Sequence, residues 1–515
     1  MNGETRTFVP NGLAVEQLVA ALGAARFELG RFRPVQRTLL DTFDGRLHRA
    51  GVRVEVRTGA GTELVVRGPG PVSARVQVER VPSTAADLPR GPLRNRLAPL
   101  LDVRALLPKV EVSSVEARGA RRSAEGKAVV AVVLHDELQL PSGGSPPVRW
   151  AVELHPLAGY PKAARQTAAL LGRLGMTVHN GSALELAAEH ADIDLGGFTG
   201  SASVPLDRSE PALDGFRRVL ANLAGTMDAN WQGTVDDVDP EFLHDLRVAA
   251  RRTRSLLAHG KQVLPRDGRD HFRAEFRWLG EVTGPARDLD VYVIEWPGYI
   301  APLDPRSAAA LAPVLELIDR RQRAAHVTLA GDLRSARYHG LMTGWRAWLD
   351  APVAPAELDK RSTKPLGQAV SARLGDAQNR LLARGRSIGT DTASEELHEL
   401  RKDAKRLRYL LECFAGVLPA ATRKSFVQRL KSLQDNLGEH QDTEVHSSQL
   451  RSLSEEVHGA PGATAETLLA MGRLTELFDQ RRQAARQEFA TRFASYDTKE
   501  TARLFDDMRK RLSAG

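Results

Sequence analysis

The residues of this chain best suited to chemistry are cations at helical spacing, and they occur twice. Between Phe242 and Pro265, His244, Arg247, Arg251 and Arg254 stand at i, i+3, i+7 and i+10. Between Glu396 and Pro419, His398, Arg401, Lys405 and Arg408 repeat that spacing 154 residues later. At about 100° per residue the four positions fall within an arc of roughly 80°, a single stripe along a helix. Arginine offers a planar fork of donors that matches phosphate oxygens, so such a stripe suits capture of a polyanion. The histidine heading each stripe is open to two readings: a hydrogen-bonded structural role, or a phosphate contact that gains charge below a pKa of about 6.5.

The elements that must present these side chains are legible beside them. Leu243, Leu246, Ala250, Thr253 and Leu257 occupy the neighbouring face of the first copy, and Leu397, Leu400, Ala404, Leu407 and Leu411 that of the second. Each copy therefore predicts an amphipathic helix with an apolar face for packing. Asp239-Pro240 predicts an N-cap with proline at the first helical position, and Thr392 with Glu395 has capping-box spacing. The similarity continues: Arg269 pairs with Arg423, Phe272 with Phe426, Arg277 with Lys431, Leu279 with Leu433, Gly284 with Gly438 and Asp288 with Asp442. A fixed period of this kind predicts two related units. In each, a second helix is expected to end at the glycine in a left-handed cap. The aspartate just beyond is placed to cap the next helix or to hold an arginine. Arg252, Lys402 and Arg406 adjoin the stripes and complete the candidate set with Arg269, Arg277, Arg423 and Lys431. A run of cations on one helix is ordinarily a solvated face; its duplication in register argues for a ligand.

The patterns HxxRVxxRRxR, LHELRKxxKRLRYxxE and LGxxxD resemble the CHAD domain, an all-α module, over about residues 211 to 515. The resemblance implies two pseudo-symmetric helical bundles whose basic helices face a central positive cavity. It also implies inorganic polyphosphate as ligand, with no catalysis. Composition agrees with a polyanion: 72 Lys plus Arg stand against 64 Asp plus Glu, for a net charge of +8. Aromatic residues are only 5% of the chain, and Tyr409 alone interrupts the stripes. A single-strand nucleic-acid groove interleaves aromatics with cations, so nucleic acid is the weaker expectation. The single cysteine, Cys413, excludes an internal disulfide and suits a reducing compartment. It reads as a buried small residue, not a nucleophile. Neither a signal peptide nor a membrane span is visible, so a cytoplasmic protein, with polyphosphate granules as a possible station, is expected.

The first two hundred residues have strand periodicity. Val52, Val54 and Val56 alternate with Arg53, Glu55 and Arg57; Trp150, Val152 and Leu154 alternate with Glu153 and His155. Charge on the second face predicts an antiparallel β-barrel with a charged lumen. LLDTFDGRLHRAGVRVEVR, ELVVRG, and WAVELHPLAG followed by an amphipathic helix resemble the CYTH, or triphosphate tunnel metalloenzyme, fold. That resemblance implies triphosphate chemistry in a tunnel, glutamates holding Mg²⁺ or Mn²⁺, and basic residues holding phosphates. Arg53, Arg57, Arg67, Arg75, Lys109, Arg118 and Arg121 lie where phosphate-binding residues are expected. The family's opening ExExK is replaced by Glu4-Thr5-Arg6-Thr7-Phe8, and a cation at a metal position argues against hydrolysis. The expectation is thus an α+β multidomain chain. It comprises a degenerate CYTH-like barrel (1–195), a Gly/Ser/Pro-rich linker (196–211) and a CHAD helical domain (212–515, repeats about 212–350 and 366–515). It binds polyphosphate and uses no resident cofactor; a Mg²⁺- or Mn²⁺-dependent triphosphatase or short-chain polyphosphatase is the alternative.

Overall fold

The computed structural model describes residues 5–59, 61–68, 74–139, 148–198, 204–353, 359–389 and 392–513. The chain forms two compact units, Met1–Thr199 and Gly200–Gly515.

Among the described residues ten strands build the first unit: β1 (Arg6–Val9), β2 (Phe27–Leu29), β3 (Arg33–Asp41), β4 (Arg53–Thr58), β5 (Thr62–Arg67), β6 (Ala74–Gln77), β7 (Leu107–Arg122), β8 (Ala128–Gln139), β9 (Val148–Pro156) and β10 (Thr177–His179). Helices α1 (Val15–Ala24), α2 (Arg46–Arg49), α3 (Pro92–Leu101), α4 (Pro161–Arg173) and α5 (Ala183–His190) join them. Every pairing is antiparallel, in the order β10-β1-β9-β8-β7-β3-β4-β5-β6 with β2 on β7. Among the described residues the end strands β10 and β6 do not pair, so the expected closed barrel is instead a curled, open sheet. The end strands have three and four residues. They offer too few rungs to zip a seam.

Period-two alternation does place Val52, Val54 and Val56 in an apolar layer with Leu47, Leu93 and Leu97 of α2 and α3. The opposite face of β4 is buried as well, since Glu55 and Arg57 are nearly inaccessible. Part of the concave side is filled by α5, whose Ala183, Leu184 and Ala187 pack on Leu39, Val110, Val112 and Ala151. Ser182 and Glu185 form the capping box that starts this helix.

The second unit is helical: α6 (Ala212–Val235), α7 (Pro240–His259), α8 (Arg266–Val282), α9 (Gly284–Ile300), α10 (Pro305–Ala310), α11 (Ala312–Leu333), α12 (Ala336–Asp350), α13 (Leu366–Ser387), α14 (Ser394–Cys413), α15 (Ala420–His458), α16 (Ala465–Tyr496) and α17 (Lys499–Ser513). The 154-residue offset holds to the residue for the starts of α6 and α13, of α8 and α15, and for both ends of α7 and α14. All ten apolar positions read from the two stripes are buried. Asp239 caps α7 by accepting the Glu241 N–H at 3.0 Å.

Two local expectations fail. Helix α14 starts after Ala393 without a side-chain cap, because the Thr392 hydroxyl is turned to the loop, accepting the Gly389 N–H at 2.8 Å. Neither Gly284 nor Gly438 takes a positive φ. Gly284 opens α9 directly after Thr283, and Gly438 lies inside α15. Burial of Leu437 and His440 on either side holds α15 helical through its glycine, so packing outweighs a weak local preference of about 1 kcal/mol.

Candidate functional site

Helices α7 and α14, the two stripe bearers, pack against each other. Their cations are not a solvated face: Arg247, Arg251, Arg254, Arg401, Lys405 and Arg408 are all half-buried. Arg247 donates to Thr283 Oγ1 at 2.8 Å and to the Gly280 carbonyl at 3.2 Å. Its counterpart Arg401 pairs with Asp442 at 2.9 Å. Arg252 of α7 reaches Glu412 of α14 at 2.5 Å, and Arg408 reaches the same carboxylate at 2.6 Å, so Glu412 ties the two copies together. His398 Nδ1 is hydrogen-bonded to Gln441 Oε1. Arg251 and Lys405, equivalent in the repeat, differ from these. Neither meets a carboxylate or another hydrogen-bond partner among the described residues, and the buried Arg251 Nε–H is unsatisfied.

The electrostatics show the stripes converging. Burial, helped by Arg401 and Arg251, lowers the Lys405 ammonium to about 8, with Asp442 opposing. Burial and the neighbouring Arg251 bring even Arg247 down to about 10. Crowding by protein atoms raises the Asp288 carboxyl; Arg247, Arg251 and Arg287 oppose this and Asp442 adds to it. The two repeat-related aspartates therefore lie within each other's field, in mid-helix and not as caps. Lys405 carries its charge below pH 8 and loses it above. Polyanion affinity is accordingly expected to fall between pH 7 and pH 9.5, by at most about tenfold per pH unit for one proton. Isothermal titration at several pH values checks this, with proton uptake on binding near pH 8.

The other candidates divide. Among the described residues Arg254 has no acidic partner at bonding distance, and burial together with Arg277 and Arg273 lowers its pKa. Arg277 is exposed, and Arg423 is half-buried with an unsatisfied Nε–H. Arg269 is buried and spent on structure, donating to the Lys261 carbonyl at 2.6 Å and pairing with Asp270 at 2.9 Å. Arg406 pairs with Asp403 at 2.8 Å and Lys402 with Glu399 at 2.7 Å. Lys431 lines a separate groove of mixed charge with Arg481, Glu439 and Glu488. Burial pushes the Cys413 thiol up to about 12, which leaves it no nucleophilic role. Thr283, Arg287 and Glu412 belong to the seam but were not among the candidates. Their repeat positions hold Leu437, Gln441 and Ala258, so duplication gave no signal for them.

In the sheet unit most expected phosphate ligands already have partners. Arg53 pairs with Glu185 at 2.6 Å, Arg75 with Glu63 at 3.5 Å, and Lys109 donates to the Phe43 carbonyl at 3.0 Å. Arg57 is buried between Glu55 at 2.6 Å and Glu116 at 3.0 Å. Exposed Arg118 lies 3.9 Å from Glu116, and Arg121 donates to Gln166 at 3.2 Å. Arg67 is half-buried with no bonded partner among the described residues, its pKa lowered by burial.

The centre is held by Arg37, a residue absent from the candidate set and 0% exposed. Its guanidinium lies 2.7 Å from Glu55, 3.5 Å from Glu116 and 3.3 Å from Glu153. His135 stands 3.3 Å from Glu116 and 3.5 Å from Glu153, and the Ala183 N–H donates to Glu153 at 2.7 Å. A carboxylate set of this kind can serve a hard divalent cation. As placed, however, it surrounds a guanidinium, so the residues do not fit the Mg²⁺ or Mn²⁺ that the tunnel fold implies.

The reason differs from the one expected. Phe8 packs into an apolar layer with Val152 and Leu154, while Thr7 donates to the Gly181 carbonyl at 2.6 Å and Thr5 meets His155 at 3.2 Å. Alternation puts Arg6 on the Phe8 side, away from the carboxylates, and Glu4 lies outside the described residues. Burial alone raises the Glu116 carboxyl, but the His135 hydrogen bond and Arg37 bring it down to about 2. Such a group stabilises above its unfolded pKa of about 4.3, and that contribution, on the order of 3 kcal/mol, is lost as pH falls toward 2. Hydrogen-exchange protection in β7, β8 and β9 is expected to collapse across that acid range.

The fold defines a two-copy helical module with a half-buried cationic seam. Residues 218–451 match the model of the CHAD domain, and the helical unit carries that domain. An uncharacterized protein of Mycobacterium tuberculosis is 31% identical over 234 residues, which are 43% of this chain and 42% of that protein. The chain thus spans less than half the length of that curated relative. Among solved structures, the CHAD domain from the plant Ricinus communis is similar at 24% identity and a TM-score of 0.44, covering 61% of this chain and 96% of that one. A Hippeastrum protein described as having a dominant triphosphatase activity is similar at 13% identity and a TM-score of 0.27, covering 38% and 97%. No helix among the described residues is long and apolar enough to cross a membrane.

Proposed function

We propose that this chain captures inorganic polyphosphate along the seam of α7 and α14. One observation carries the reading: Arg251 and Lys405, related by the repeat, are half-buried within each other's field, and neither has a carboxylate at ion-pair distance among the described residues. Holding like charges close in a poorly solvated place is costly unless an anion accompanies them. Arg247 and Arg254 extend the same row, and Tyr409 is the one aromatic that interrupts the stripes, too sparse a platform for a run of nucleobases. Polyphosphate supplies a charge at every unit and has no bases, which suits closely spaced forks of donors. The CHAD match supports the same ligand class. The sheet unit, with its inner cations paired, serves this reading without catalysis and without a metal. The protein acts in the cytoplasm, at polyphosphate granules among other places.

Titrating purified protein with polyphosphates of defined length, orthophosphate and RNA tests the proposal. Polyphosphate is expected to bind far more tightly than orthophosphate and to resist competition by RNA at matched charge. Equal or better binding of RNA would overturn it. Release of phosphate from tripolyphosphate with Mg²⁺ or Mn²⁺ would instead support the competing enzymatic reading.

A further inference from the structure

The polar cluster inside the sheet unit is crowded with charge yet closed to solvent. Arg37, Glu55, Arg57, Glu116, His135 and Glu153 are all buried. Glu55, Glu116 and Glu153 come from β4, β7 and β9, and Arg37 from β3. In the sheet order β9 lies three strands from β3, about 14 Å along a flat sheet. The 3.3 Å approach of Arg37 to Glu153 is therefore made by curvature, which brings three carboxylates around one point. Three buried carboxylates repel one another and require cations: Arg57 answers Glu55 at 2.6 Å and Glu116 at 3.0 Å, while Arg37 answers all three, Glu153 included. Arg37 Nε lies within ion-pair distance of both Glu55 and Glu116, and Arg37 Nη2 donates to Glu55 at 3.2 Å and to Glu153 at 3.3 Å. The remaining oxygens face imidazoles: His135 Nδ1 lies 3.3 Å from Glu116 Oε1, and His155 Nε2 lies 3.2 Å from Glu153 Oε2.

We propose that Arg37 is a built-in cation that does for Glu55, Glu116 and Glu153 what a divalent ion would do. Removing it would uncover a divalent-cation site formed by those carboxylates. A guanidinium can neutralise a carboxylate ring and donate hydrogen bonds to it, but it has no vacant coordination position to offer a substrate oxygen. The cluster thus keeps the geometry of the curled sheet while giving up Lewis acidity. Oxygen donors from three strands are what a hard ion selects, and Mn²⁺ is a suitable probe because it is paramagnetic.

The test compares full-length wild type, Arg37→Lys, Arg37→Ala and Arg37→Gln in metal-free buffer and in millimolar Mn²⁺. Wild type and Arg37→Lys are expected to melt at the same temperature with and without the ion. Arg37→Ala and Arg37→Gln should melt lower, regain stability with Mn²⁺, and show bound Mn²⁺ by electron paramagnetic resonance. Adding Glu153→Gln to either should abolish that signal. Where a variant is recovered folded only from refolding with Mn²⁺, the same conclusion holds. The proposal is overturned if neither variant takes up Mn²⁺, whether folded directly or refolded with the ion. It is equally overturned if wild type already binds Mn²⁺ at a site lost in Glu153→Gln.

Discussion

Reversing both seam charges, with Arg251→Glu and Lys405→Glu in one chain, is expected to lower polyphosphate affinity by at least about a hundredfold. A hydrogen bond to a charged group contributes about 1.5–3 kcal/mol, so loss of two such contacts corresponds to roughly two to four orders of magnitude. Reversal adds repulsion to that loss, since the new carboxylates would stand beside Asp288 and Asp442. The apolar faces of α7 and α14 are untouched by the change, so the helical circular dichroism should persist. Calorimetric titration of the folded double variant is the measurement, and Arg251→Ala with Lys405→Ala should show a smaller loss. Undiminished binding would remove the seam from the site. The same pair of changes on the outer side, Arg406→Glu with Lys402→Glu, is expected to matter far less, because those cations already have Asp403 and Glu399.

Salt should have an effect of comparable size. Arg247, Arg251, Arg254 and Lys405 have no carboxylate at ion-pair distance among the described residues, whereas Arg401 and Arg408 are paired with Asp442 and Glu412. Each phosphate neutralised releases about 0.7–0.9 of a counterion, so four uncommitted cations give a log–log slope near −3. Affinity would then fall about a thousandfold over a tenfold rise in salt. A steeper slope would mean that polyphosphate also displaces Asp442 and Glu412 from their arginines. A flat profile would rule out electrostatic capture. Wild type and the double variant measured across the same salt series separate the two ideas, because the variant should lose slope as well as affinity.

Parts of this design are local and therefore readable. Helical periodicity follows from about 3.6 residues per turn, so the positions of His244, Arg247, Arg251 and Arg254, and the burial of Leu243, Leu246 and Leu257 beside them, are implied by spacing alone. The 154-residue offset carries the same argument to α14 without further information. Strand alternation likewise places Val54 and Val56 on one face and Glu55 and Arg57 on the other. The short-range capping signals fared unevenly: Asp239 caps its helix, while Thr392 is drawn to a loop amide.

Periodicity and repetition alone establish which side chains share a face and that the helical pattern is duplicated. Only packing in three dimensions sets which groups answer one another across elements. Glu412 joins the two copies although its repeat position is alanine. Gly438 stays helical because α15 is buried around it. The end strands are too short to close the sheet. Arg37, reading only as one cation in a strand beside Val35 and Leu39, becomes the counter-ion of three carboxylates. Periodicity constrains orientation about one axis, whereas ion pairing depends on distances set by curvature and packing. For that reason the cationic stripe was visible in the residues, and the cation at the heart of the sheet was not.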